Sequence, residues 1–168
     1  AGLAAVGQIP GRYELIDSTV GFAIAVDYAH TADGVQAIIE AARAVTAGRV
    51  IVVLGAGGDR DRSKRPAMGR AASSADEFVL TSDNPRSEPP EEIIAAVQTG
   101  VEGSVELTIE PDRRRAIRLA LELADAQDTV LVLGKGHEQG QEIAGEILEF
   151  DDRVVVREEL AEMERTPC

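Results

Sequence analysis

Charged, polar and glycine residues gather in four short clusters of this chain, and each could carry chemistry. Asp27-Tyr28-Ala29-His30-Thr31 sets a carboxylate beside two rings, and Gly55 to Asp61 (GAGGDRD) joins a flexible backbone to charge. Ser82 to Arg86 (SDNPR) and Gly134 to Glu138 (GKGHE) complete the set. Arg60, Arg62, Lys64 and Arg65 crowd in or just after the second cluster, and Arg86 closes the third. A guanidinium fork matches the geometry of carboxylate or phosphate. Glu138 supplies the opposite charge. Arginine on one wall of a pocket and a carboxylate on another suit a zwitterion such as an amino acid. Plainer readings stand beside this one. Glu138 can pair with a neighbouring Lys or Arg, and Arg62 reads as a solvated surface charge. Arg113 to Arg115 open a helix at the end where its dipole disfavours cations, and read as a solvated turn.

Several familiar chemistries fail on spacing. A dinucleotide fingerprint G-x-G-x-x-G would need glycine at position 60, where Arg60 stands, and Glu77 falls at the start of a strand instead of its end. No G-x-x-x-x-G-K-[ST] phosphate loop and no G-x-S-x-G elbow occurs anywhere. His30, His137 and Cys168 lack ligand-like spacing, so no metal site is expected. The single cysteine cannot close an internal disulfide, which fits a reducing compartment. A formal net charge of −13, from 17 Lys and Arg against 30 Asp and Glu, repels phosphate backbones and anionic lipid. Aromatics at 3% argue against stacking platforms for single strands. No apolar run approaches the ~20 residues of a membrane span, and the first residues lack the basic region of a signal peptide. Neither nucleic acid nor a membrane is therefore an expected partner.

The clusters must be held by elements, and the apolar pattern supplies them. Strands are expected at 22–26, 50–54, 78–81, 105–109 and 129–133, several of them continuous apolar runs. Helices are expected at 35–45, 66–75, 90–101 and 111–126, with another after Asp151 or Asp152. Residues 141–144 and 146–150 fit a hairpin across Gly145, giving an antiparallel strand near the C-terminus. The first fifteen or so residues read as a lead-in. Continuous strands alternating with helices predict an α/β fold, a mostly parallel sheet with helices on both faces. All four clusters follow strands, so they gather at the carboxyl edge, where such sheets bind ligands.

Five segments occur in order: GRYELI, VDYAHTADG, GAGGDRDRSKRPAMG, SDNPRSEPPEEI and LGKGHEQGQEI…FDDR. Together, across about residues 7–160, they resemble the C-terminal domain of the Mur ligases. The resemblance implies a Rossmann-like domain of an ATP-dependent ligase of cytoplasmic peptidoglycan precursor synthesis. In that family ATP phosphorylates a carboxylate of the UDP-N-acetylmuramoyl dipeptide, and the amine of an incoming amino acid attacks the acyl phosphate. Residues 1–168 would form a single C-terminal domain that binds the amino acid and closes over ATP. The UDP-substrate domain and the ATPase domain, which would hold most of the Mg²⁺, are unmatched. The chain alone is expected to be inactive.

Position by position, Arg12 resembles a catalytic arginine that reaches the ATP phosphates. Asp27, Tyr28 and His30 resemble the nucleotide contacts. Arg60, Asp83, Asn84, Arg86, Gly134 and Glu138 resemble the contacts to the amino acid. Relatives that add meso-diaminopimelate carry D-N-P-R, as here at Asp83 to Arg86, whereas lysine-adding relatives depart from it. Diaminopimelate has a second carboxylate for Arg86 and Asn84 to bind. Lysine would leave that guanidinium without an anion, a cost on the order of several kcal/mol. Ala32 and Gly140 depart from the family pattern, the first at the turn after His30. A related ligase adding lysine or another amino acid, and a stand-alone binding module, are the alternative readings.

Overall fold

The structure is a computed structural model that describes residues 9–165. Strand β1 (Glu14–Leu15) is followed by β2 (Ala23–Asp27), α1 (Ala32–Arg43) and β3 (Val50–Leu54). A 3₁₀ turn (Arg62–Lys64) leads into α2 (Arg65–Ala72), then β4 (Glu77–Leu80), α3 (Pro90–Gln98), β5 (Glu106–Ile109) and α4 (Arg113–Leu123). The chain ends with β6 (Thr129–Leu133), β7 (Gly140–Ile143), β8 (Glu146–Glu149) and α5 (Asp152–Arg165). The six-stranded sheet has the order β1-β2-β6-β3-β4-β5. All its pairings are parallel except that of β1 with β2.

The central strands explain the continuous apolar runs. Every residue of β3 and β6 is buried. Val50, Val52 and Leu54 face one core with α1, α2 and α3. Ile51 and Val53 face the opposite core with α4 and α5. Each such side chain, removed from water, contributes roughly 1.5–3 kcal/mol. A strand clothed by helices on both faces has no polar face to show. The helices start where capping allows. Thr31 Oγ1 accepts from Gly34 N at 3.2 Å at the head of α1, and Asp112 Oδ1 from Arg115 N at 3.0 Å at the head of α4.

The return of the chain brings four loops to one edge of the sheet. It runs outward through β3, β4 and β5, then crosses the opposite face by α4 and inserts β6 between β2 and β3. The loops after β2, β3, β4 and β6 consequently open beside one another. The hairpin β7–β8 stands outside the sheet. Its two-residue loop places Ala144 and Gly145 at φ 51° and 84°, the turn whose twist suits paired strands.

Two expectations are corrected. The lead-in includes an edge strand, β1, and buries Ile16 against the α4–α5 face; two residues are too few to register as periodicity. The Arg113 to Arg115 segment is not a solvated turn at its first residue. Arg113 is 2% exposed, and its guanidinium donates to Asp152 Oδ1 and Oδ2 at 2.8 and 2.7 Å. It also donates to the carbonyls of Ser82 and Leu133, at 3.2 and 2.9 Å. A buried carboxylate and two strand-end carbonyls outweigh the unfavourable helix dipole.

Candidate functional site

At the carboxyl edge the loops after β3 and β4 lie in contact. A Cβ at Gly58 would overlap the Pro85 carbonyl oxygen, and Gly58 N donates to the Asn84 carbonyl at 2.8 Å. The glycines of GAGGDRD therefore serve close loop–loop approach. Gly134, at φ 111°, performs the same service opposite Asp83: a Cβ there would lie 2.6 Å from Asp83 Oδ2.

Between these loops opens a cavity of about 390 Å³. Arg60, Asp83, Asn84, Arg86, Gly134 and Glu138 all line it, together with Tyr28 and His30. The expected amino-acid contacts are thus brought together. Arg86 holds a left-handed backbone, φ 54°, which for a non-glycine residue needs support from its surroundings. The hairpin supplies that support. Arg86 N donates to Glu142 O at 2.9 Å, and Ala144 N donates to Arg86 O at 2.8 Å. The guanidinium then donates through Nη1 to the Gly58 carbonyl at 2.7 Å, and its Nε stands 3.2 Å from Glu142 Oε2. Nη2 has no partner among the described residues, nor has any nitrogen of Arg60's guanidinium. Across the cavity Glu138 Oε2 accepts from Asn84 Nδ2 at 2.9 Å and lies 3.4 Å from Lys135 Nζ. Both readings of Glu138 are therefore partly met: it has a lysine neighbour, and its second oxygen has no partner among the described residues.

The remaining acidic groups differ in kind. Burial pushes the Asp83 carboxyl above its ordinary range, against the pull of Arg113 and Lys135. Glu88 is held down to about 2, chiefly by the Arg65 fork, which donates to it at 2.8 and 3.0 Å. Glu88 also accepts Asp59 N at 2.6 Å and pairs with Arg62 at 2.8 Å, so the exposed Arg62 is ion-paired. This knot ties the glycine loop to the segment following Arg86.

A second groove, about 300 Å³, holds Arg12, Asp27, Tyr28 and His30, and shares Tyr28, His30 and Thr31 with the first cavity. Arg12 lies over the Tyr28 ring, 5.0 Å from its centre. His30 and His137 flank that ring at 4.5 and 5.3 Å. Asp27 Oδ1 and Oδ2 accept Ala29 N and Tyr13 N, at 2.7 and 2.6 Å, so the carboxylate also folds its own loop. Flat rings, a cation and a carboxylate fit the base and sugar end of a nucleotide. Among the described residues, no group of three or more His, Cys, Asp or Glu converges on one point.

Sequence reasoning left Lys135, Arg65, Glu88, Gln141 and Glu142 without roles. Lys135 and Arg65 lie in or beside the clusters, yet nothing local distinguishes them. Gln141 Nε2 reaches the Asp83 carbonyl at 2.7 Å across 58 residues of chain.

Residues 11–136 match the family model of the Mur ligase glutamate ligase domain. The chain belongs to the Mur ligase family. It is 51% identical over 164 residues to the UDP-N-acetylmuramoyl-L-alanyl-D-glutamate–2,6-diaminopimelate ligase of Streptomyces coelicolor, covering 94% of this chain and 32% of that protein. The ligase of the same name from Caldanaerobacter subterraneus subsp. tengcongensis is 48% identical over 159 residues, covering 94% of this chain and 33% of its own. A solved structure of a ligase of that name superimposes with a TM-score of 0.89 at 40% identity, over 96% of this chain and 33% of that one. The Mur ligase chain described here therefore spans about a third of the length of the curated relatives it matches. The resemblance read from the five segments is borne out, as is the mostly parallel α/β sheet. No helix among the described residues is long and apolar enough to cross a membrane.

Proposed function

We propose that residues 1–168 form the amino-acid-receiving domain of a ligase that joins meso-diaminopimelate to UDP-N-acetylmuramoyl-L-alanyl-D-glutamate in cytoplasmic peptidoglycan precursor synthesis, at the expense of ATP. The observation that carries this reading is the convergence of Arg60, Asn84, Arg86 and Glu138 on one cavity. Guanidinium and amide donors suit the two carboxylates of diaminopimelate, and the open oxygen of Glu138 suits an ammonium. The names of the relatives support the same substrate.

The chemistry divides between the two cavities. Activation of the dipeptide carboxylate needs a phosphate-binding loop, which this chain lacks, so that step belongs to the rest of the ligase and the chain alone is inactive. Arg12, beside Asp27, Tyr28 and His30, would steady the nucleotide and spread charge on its phosphates. The amino acid would lie beyond the shared wall of Tyr28 and His30, its amine directed toward the acyl phosphate. Its ammonium must lose a proton before it can attack. Asp83, raised by burial and without a side-chain hydrogen bond among the described residues, is suited to face that ammonium.

Assaying the full-length ligase with meso-diaminopimelate and L-lysine side by side tests the assignment. At equal concentrations diaminopimelate is expected to react at least about 100-fold faster, since lysine brings no far-end carboxylate to the open Nη2 of Arg86 and the donor edge of Asn84. Equal rates would overturn it.

A further inference from the structure

Lys135 is fully buried at the floor of the carboxyl edge and is not among the residues lining the amino-acid cavity. Whatever it does for a ligand there, it must do through its neighbours. Its ammonium donates to the Gly140 carbonyl at 2.6 Å and to Asn84 Oδ1 at 3.1 Å, and lies 3.4 Å from Glu138 Oε2. Three donors thus meet three acceptors.

The consequence falls on Asn84. Its Oδ1 accepts a second hydrogen bond, from Glu142 N at 3.0 Å. An amide oxygen has two lone pairs, and here donors occupy both. Turning the amide over would press its NH₂ against an ammonium and a backbone N–H, so the orientation is dictated by chemistry. The NH₂ is left on the opposite side, where one hydrogen goes to Glu138 Oε2 at 2.9 Å. The other has no partner among the described residues, on a side chain that lines the cavity. Asn84 therefore offers the occupant a donor and no acceptor. A carboxylate can accept from it and an ammonium cannot.

We propose that Lys135 is a positioning residue for amino-acid selectivity: it locks the Asn84 amide with its donor edge toward the cavity, steadies Glu138, and so biases the cavity toward a substrate whose far end is a carboxylate. This rests on the cavity being the amino-acid site. Lys135 does not touch the substrate. A free asparagine would turn to suit either an acid or an amine at that end. With Lys135 and Glu142 N on its oxygen, it suits only the acid.

The test is kinetic and uses the full-length ligase. With Lys135→Met the KM for meso-diaminopimelate is expected to rise about 10- to 100-fold, while the KM for ATP stays within about two-fold. In an Asn84→Ala background the same substitution is expected to raise the diaminopimelate KM by less than about three-fold, because its main route has gone and only the 3.4 Å contact with Glu138 is left. An unchanged KM in the single variant, or a full additional rise in the double variant, would overturn the proposal. Failure of the wild-type ligase to use diaminopimelate would instead remove the reading of the cavity, and shows before any variant is made. Should Lys135→Met not fold, judged by its thermal transition, a crystal structure of the wild-type ligase with meso-diaminopimelate decides. Asn84 Nδ2 on the distal carboxylate with Oδ1 on Lys135 is expected, and Oδ1 turned toward the substrate contradicts.

Discussion

The two ends of the sheet use the same side chain to opposite effect. At the amino edge Arg49 precedes β3, and every arm of its guanidinium is engaged. It donates to Asp128 at 2.8 and 3.1 Å, to Glu77 at 3.2 Å, to Asp125 at 3.2 Å and to the Leu123 carbonyl at 2.7 Å. At the carboxyl edge Arg86 meets one carbonyl and one flanking carboxylate, and Arg60 meets nothing among the described residues. An arginine is therefore not marked as functional by its residue type. What separates a saturated arginine from an available one is the balance of donors against acceptors already present. Arg113 sharpens the rule, because it lies at the carboxyl edge yet is saturated by Asp152, Ser82 and Leu133. It shapes the site from behind, holding together the strand ends that carry Asp83 and Gly134.

The largest expected effect comes from breaking that hidden staple. Arg113→Ala strands the Asp152 carboxylate in the core, and urea unfolding of the chain should register a loss of about 3–5 kcal/mol. A loss below about 1 kcal/mol would mean that Asp152 finds other partners, and that the pair does not organise the edge. Arg49→Ala should cost less, about 1–2 kcal/mol, because its side chain is 37% exposed and water replaces part of what is lost. The same variant should bind diaminopimelate as the wild type does in calorimetry. A binding defect there would blur the contrast between the two edges.

A smaller effect lies in the pH dependence of the knot around Glu88. Its carboxyl falls from an ordinary 4.5 to about 2 on folding, held there by Arg65. The folded pKa is the lower one, so the stabilisation is complete above about 4.5 and drains away as pH falls toward about 2. Glu88→Gln should flatten the profile of Tm against pH within that window. Profiles running parallel between pH 4.5 and 2 would show that Glu88 does not couple to folding.

The contrast also explains what could be read from the chain directly. β3 and β6 stand out as continuous apolar runs because both faces of each strand are covered. The four clusters are visible because loops after parallel strands must share an edge. The state of each arginine is not visible, since it depends on partners distant in sequence. Arg113 finds Asp152 across 39 residues, and Lys135 finds Asn84 across 51. Local spacing encodes neither pairing. β1 escapes for another reason: it is two residues long and owes its existence to pairing with β2.

On the proposed reading, Arg86 is left incompletely paired to receive a substrate carboxylate. Steady-state kinetics of Arg86→Ala in the full-length ligase tests this most directly. The diaminopimelate KM is expected to rise about 100-fold or more, with the KM for ATP within about two-fold of wild type. Equal losses toward both substrates would contradict that claim and reduce Arg86 to another structural cation.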